Sequence, residues 1–205
     1  MRVLWDGPLL FGIFVGNLFG IRLLDDGKGN FISVIDDNIV MSSMPLPSDV
    51  AEMKRHNVKF VVNMQAEWSG PQASYRQAGI KQLVRPSLTP FTRSAFISVQ
   101  QNLNIPWQWL PTLDMSCPSK EDLHKGVAFI RQSLEQTKAE VGRVLIHCKG
   151  GRGRATTMAV AYFAATGEDP NTSFERIKAV RPVAEPKVLS YLPLLEFVKE
   201  ITERV

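Results

Sequence analysis

Residues 144–160 read VLIHCKGGRGRATTMAV, and this stretch constrains the fold more than any other part of the chain. It begins inside RVLIH, residues 143–147, an apolar run of the kind that forms a strand buried on both faces of a parallel sheet. Three glycines, Gly150, Gly151 and Gly153, fall between Cys148 and Arg154. The following ATTMAVAYFAAT has helical composition and meets a stop signal at Gly167. A strand, a glycine-rich loop and a helix in that order predict an α/β fold: a single domain with a central, mostly parallel sheet flanked by helices. In such folds ligands bind beyond the carboxyl ends of the strands, where this loop begins.

The same residues carry chemistry. Five residues separate Cys148 from Arg154. Glycines let the backbone curl so that successive N–H groups point inward, and the helix starting near Arg154 aims its positive end at the same point. That geometry suits a phosphate dianion and favours a thiolate at Cys148. Arg154, in the first helical turn, can grip two phosphate oxygens with its planar fork. The residues therefore read as Cys148 the nucleophile, Arg154 the clamp, and Lys149, Gly150, Gly151, Arg152 and Gly153 the phosphate-binding loop. Lys149 and Arg152 bring extra positive charge, which fits a substrate with further negative groups, such as a phospholipid head group. The alternative is that they face solvent or bond loop carbonyls. His147 is expected as a hydrogen-bonding neighbour of Cys148, not as a base. A rhodanese-like sulfurtransferase typically uses a shorter cysteine loop, and a module that only binds phosphate has no need of Cys148.

A cysteine phosphatase also needs a general acid for the leaving oxygen. TLDMS supplies Asp114, in a loop upstream of the catalytic strand and just ahead of a helix. Taken alone, Asp114 would read as a turn or capping residue. Cys117 reads as a structural thiol, with a resolving cysteine for oxidised Cys148 as the alternative.

Elsewhere, FISVI and NIVMSS read as short strands, and Pro47-Ser48 opens a helix that Asn57 can end. KFVVNM, residues 59–64, is a buried strand; a short helix near 71–78 and the strand IKQLV follow. Ser119 can cap a helix whose Leu123, Val127, Ile130 and Leu134 share one face. Asp169-Pro170 starts another helix and Arg181-Pro182 ends it, and a last helix is expected over Pro186–Arg204. Two segments stand apart. Gly7–Ile21 is an apolar run of fifteen residues, short of the ~20 that cross a bilayer, with no small-residue cleavage site after it. It is expected to be a membrane-adjacent anchor or targeting segment, the alternative being a helix packed on the domain. Residues 85–111 hold Pro86, Pro90, Pro106 and Pro111, two arginines and no acids. So long a loop is uncommon in a compact domain; it reads as a lid, a disordered insert or a segment foreign to the fold. The expected organisation is thus an N-terminal segment, 1–30, and a catalytic domain, 31–205, with an atypical insert at 85–111.

Totals add little. Lys and Arg outnumber Asp and Glu by 24 to 20 in 205 residues, a bias suited to an anionic substrate or membrane surface. Two cysteines make no disulfide framework, which points to a reducing compartment. His56, His124 and His147 have no metal-ligand spacing. No metal, no cofactor and no nucleic-acid partner are expected.

HCKGGRGRATT resembles the phosphate loop of dual-specificity phosphatases, and in particular their mitochondrial protein-tyrosine-phosphatase-like branch, the phosphatidylglycerophosphate phosphatases. TLDMSCPSKEDLHKGVAFI is similar to that branch's acid loop and following helix, and LLEFVKEITERV to its last helix. IDDNIVMSSMP, GIKQL and the apolar RVLWDGPLLFGIFVGNLFGIR fit it too, so the likeness covers most of the chain except residues 85–111. The resemblance implies an enzyme of the mitochondrial inner membrane that converts phosphatidylglycerophosphate to phosphatidylglycerol for cardiolipin synthesis. It implies the same roles for Cys148, Arg154 and Asp114. Two departures bear on catalysis. The family has Ser or Thr directly after the loop arginine, where this chain has Ala155. That predicts slow hydrolysis of the phosphoenzyme. The family also reaches its acid loop soon after the GIKQL-like strand, so the insert could displace Asp114. The rival functions are a dual-specificity protein phosphatase acting on phosphoproteins and a non-catalytic phosphate-binding scaffold.

Overall fold

The structure is a computed structural model that describes residues 25–26, 28–83, 110, 112–136 and 142–203. Gly7–Ile21 and nearly all of the expected insert lie outside the described residues.

Among the described residues five strands form one sheet: β1 (Ile32–Val34), β2 (Ile39–Ser42), β3 (Val58–Asn63), β4 (Lys81–Leu83) and β5 (Arg143–His147). Their order across the sheet is β1-β2-β5-β3-β4. β1 and β2 are antiparallel, and every other pairing is parallel. The last strand in the chain is therefore the middle strand of the sheet, as expected for an apolar run buried on both faces. Alternation divides its neighbours. Ile39, Met41, Phe60, Val62, Val144 and Ile146 face one core; Val40, Val61 and Leu145 face the other.

The second, smaller core is closed by α1 (Val50–Arg55) and α2 (Gln72–Gln77), through Val50, Met53 and Tyr75. A 3-10 turn at Pro47–Asp49 leads into α1, and Asn57 ends the helical stretch in the left-handed region (φ 56°). The larger core is covered by α3 (Lys120–Gln136), α4 (Arg154–Ala165), α5 (Pro170–Val180) and α6 (Leu192–Thr202). The Ser119 hydroxyl accepts from the Asp122 N–H at 3.1 Å and caps α3. The Asp169 carboxylate caps α5 by accepting from the Asn171 and Thr172 N–H groups. α4 is buried along nearly its whole length and packs on α3 across Gly126, where a Cβ would lie 2.5 Å from Met158 Sδ.

One boundary differs from the sequence reading. The expected helix over Pro186–Arg204 is two elements, a 3-10 turn at Pro186–Ser190 and α6, with Tyr191 extended between them. Pro193 explains the break, because a proline inside a continuous helix loses an N–H and clashes one turn back. Leu110, near the carboxyl end of the expected insert, is fully buried in the larger core.

Candidate active site

β5 ends at His147, and the loop that follows is held on both sides. The Met44 N–H donates to the Lys149 carbonyl at 3.0 Å, and the Met64 N–H donates to the His147 carbonyl at 2.9 Å. The continuations of β2 and β3 thus grip the loop at its root. Gly151 has φ +64°, and a Cβ there would meet the Arg181 guanidinium and stand 2.5 Å from the Ser42 carbonyl oxygen. Glycine is required there by both torsion and space. This turn sends the Gly151 N–H back to Cys148 Sγ at 3.2 Å. The thiol is buried at the base of a cavity of about 190 Å³, whose wall includes Asp114, Lys149, Arg154, Glu185 and Tyr191.

Arg154 opens α4 and is buried. Glu67 takes it end-on: Nη1 and Nη2 donate to the two carboxylate oxygens at 2.9 Å each. Nη1 also donates to the Thr112 carbonyl at 2.9 Å, and Nη2 to Asp114 Oδ1 at 2.8 Å. All four terminal N–H bonds of the guanidinium are therefore directed at protein oxygens. Burial alone would make the charge harder to keep, but the Glu67 hydrogen bond, with Cys148 and Asp114 nearby, outweighs it and raises the pKa above the ordinary arginine value. Lys149 approaches the other oxygen of the same acid, with Nζ 3.4 Å from Asp114 Oδ2.

The loop that carries Asp114 is pinned to the sheet. Gln65 and Thr112 form a parallel bridge, and the Ala66 N–H donates to the Thr112 carbonyl at 3.3 Å. One short extension of β3 thus places both Glu67 and Asp114 at Arg154. Despite the long segment before it, Asp114 stands beside the phosphate loop. The expected residues Cys148, Lys149, Arg154 and Asp114 all converge on the cavity. Arg152 stands at its edge, mostly exposed, with Nε 3.3 Å from Glu185.

His147 is fully enclosed, and burial pushes its pKa down to about 3, with the Arg154 charge acting the same way. The ring is neutral at physiological pH and lies beside the Cys148 backbone. The contact with the Cys148 backbone is the hydrogen-bonding neighbourhood expected of His147, and its ring nitrogens have no further partner among the described residues. Cys117 is half-buried, its thiol pushed up to about 11 by burial, which fits a structural thiol. No group of three His, Cys, Asp or Glu side chains among the described residues is arranged to hold a metal.

Two residues of this site escape sequence reasoning. Glu67 lies in an irregular loop whose only signal is its position after a strand's carboxyl end. Arg181 reads there as a helix terminus, yet it is fully buried beneath the phosphate loop. Its Nε donates to the Gly151 carbonyl at 2.7 Å, its Nη2 to the Gly150 carbonyl at 2.9 Å and its Nη1 to Ser33 Oγ at 3.1 Å. A loop that turns its N–H groups inward turns carbonyls outward, and Arg181 collects two of them.

A buried cysteine and a helix-initial arginine, joined by a glycine-rich loop at the centre of a mostly parallel sheet, define a cysteine-phosphatase fold. The model of the Swiss Army Knife protein DSP-PTPase phosphatase domain (PTP-SAK) matches residues 31–190, and the chain belongs to this family of phosphoric monoester hydrolases. Over 213 aligned residues it is 28% identical to phosphatidylglycerophosphatase and protein-tyrosine phosphatase 1 of Mus musculus, covering 99% of this chain and 92% of that protein. The crystal structure of PTPMT1 superposes with a TM-score of 0.62 at 27% identity, over 84% of this chain and 97% of that one. PTPMT1 in complex with PI(5)P gives 0.63 at 26% identity, over 85% and 99%.

Proposed function

We propose that this chain hydrolyses the phosphomonoester of an anionic phospholipid head group, phosphatidylglycerophosphate first among them, through a phosphocysteine. Cys148 Sγ attacks phosphorus while the bond to the leaving oxygen breaks, and Asp114 gives that oxygen its proton. Water then attacks the phosphocysteine and returns a proton to Asp114, and the S–P bond breaks to release Cys148 and inorganic phosphate. Arg154 and the loop N–H groups hold the phosphoryl oxygens throughout. The phosphate must take Arg154 from the Asp114 carboxylate, and the same exchange leaves the acid beside the leaving oxygen. The observation that carries this reading is the convergence of Cys148, Arg154 and Asp114 on one cavity.

The lipid part is supported by the names of the relatives, by the PI(5)P complex of PTPMT1 and by Lys149, a second cation on the same cavity. Residues 31–205 are assigned to the phosphatase domain, and Gly7–Ile21 to attachment at a membrane, the mitochondrial inner membrane in particular. Among the described residues no helix is long and apolar enough to cross a membrane. The mouse relative's name also includes a protein-tyrosine phosphatase, which keeps phosphoprotein substrates as the second reading.

A substrate panel tests both. Wild type should release phosphate from phosphatidylglycerophosphate far faster than from phosphotyrosine or phosphothreonine peptides. Cys148→Ser should abolish release from every substrate, an aryl phosphate included. A preference for peptides overturns the lipid reading; an active Cys148→Ser protein overturns the mechanism.

A further inference from the structure

Large apolar side chains are exposed at few places among the described residues: Val34, Leu113, Met115, Leu192 and Leu195. Four of these five fall on two short segments that meet at the mouth of the cavity. Leu113 and Met115 flank Asp114 on the acid loop. Leu192 and Leu195 lie three residues apart at the start of α6, directly after Tyr191. Met115 and Tyr191 both line the cavity, which brings the two segments together there. The four side chains are between 51% and 80% exposed. Scattered exposed leucines are ordinary; a cluster around one opening marks a contact surface.

The backbone adds to this. Met115 holds a left-handed conformation (φ 62°) that an unbranched L-residue adopts at some cost, and it presents its side chain to solvent. The same mouth carries the cations Arg152 and Lys187, each beside Glu185 and each largely exposed. Apolar side chains at the tips of two segments, with basic side chains at the same opening, match the two layers of an anionic bilayer surface.

We propose that Leu113, Met115, Leu192 and Leu195 form a membrane-docking rim that enters the interfacial region of an anionic bilayer and seats the cavity over a lipid phosphate. This inference rests on the lipid reading given above and specifies how the bilayer is engaged. Docking also couples to chemistry, because the apolar side chains bracket Asp114: the loop that enters the lipid carries the acid.

The test compares the full-length wild type with Leu113→Ser and with the double variant Leu192→Ser/Leu195→Ser. Each is assayed on phosphatidylglycerophosphate in phosphatidylcholine/phosphatidylglycerol vesicles, on a short-chain monomeric form of the same lipid, and on an aryl phosphate. Exposed leucines that lose a bilayer contact should cost about tenfold or more in vesicle activity, with both soluble substrates hydrolysed at the wild-type rate. Equal losses on all three substrates, or no loss on vesicles, overturn the rim. If wild type hydrolyses neither lipid form, the substrate reading fails and the rim is judged by binding alone. Cys148→Ser protein should then co-sediment with the vesicles, and clearly less of it when the leucines are replaced; unchanged co-sedimentation overturns it. A dimer in sedimentation velocity that the α6 substitutions dissolve assigns the leucines to a second copy of the chain and also overturns it.

Discussion

The Thr156 hydroxyl donates to the Arg152 carbonyl at 2.7 Å, and the Thr157 hydroxyl to the Gly153 carbonyl at 3.1 Å. Both are turned to the backbone one helical turn earlier, so neither replaces the hydroxyl that Ala155 lacks. Ala155 is fully buried in the same cluster as Cys148. In the first half-reaction the thiolate attacks and needs no such donor; in the second it leaves, and a hydroxyl would steady the departing charge. Ala155→Ser should therefore raise the steady-state rate several-fold while leaving the burst of the first turnover unchanged, as rapid-quench kinetics would measure. An unchanged steady-state rate sinks this account.

At the scale of elements, the phosphate loop is fixed by pieces distant in sequence. Glu67, after β3, is 87 residues from Arg154, and Arg181, after α5, is 30 residues from Gly151. The motif between Cys148 and Arg154 was legible because its parts are contiguous and each has a local reason. Glu67 and Arg181 were not, because their roles exist only once the sheet order brings strand ends together. Pro193 was legible in principle, since a proline in an apolar helical pattern is a break signal, but the strong pattern around it masked the stop. Arg181→Met should leave two outward carbonyls without their donor and destabilise the fold by about 3 kcal/mol in urea unfolding. It should also weaken the binding of tungstate, which reads loop geometry directly. A destabilised variant with wild-type tungstate affinity would assign Arg181 to stability alone.

Over the whole molecule, the alternation of strand and helix signals was enough to predict a mostly parallel sheet between helices, and the five strands fall where the apolar runs do. The strand order was beyond periodicity, which cannot tell that β5 inserts between β2 and β3. That central position seals His147 from water and gives the protein an acid sensitivity. Its folded pKa is about 3 against an ordinary 6.5, so on acidification the unfolded chain takes up this proton first. Stability from this residue is complete above pH 6.5 and falls as the pH drops toward 3, by about 1.4 kcal/mol per pH unit at most. His147→Gln should flatten the urea-unfolding profile between about pH 6.5 and 5.5, above the range where ordinary carboxylates titrate. A profile as steep as wild type would show that other groups set the acid limb.

One contact has a consequence for the end of the catalytic cycle. The Asp114 carboxylate holds Arg154 at 2.8 Å and Lys149 at 3.4 Å, in the role a phosphate oxygen would take. The acid is thus a tethered competitor for the clamp, and its local concentration far exceeds that of any free anion. In the proposed cycle, once water has cleaved the phosphocysteine, the returning carboxylate would help to eject inorganic phosphate. The enzyme should accordingly suffer weak product inhibition, and Asp114→Ala, though poor in catalysis, should bind inorganic phosphate more tightly than the wild type in calorimetric titration.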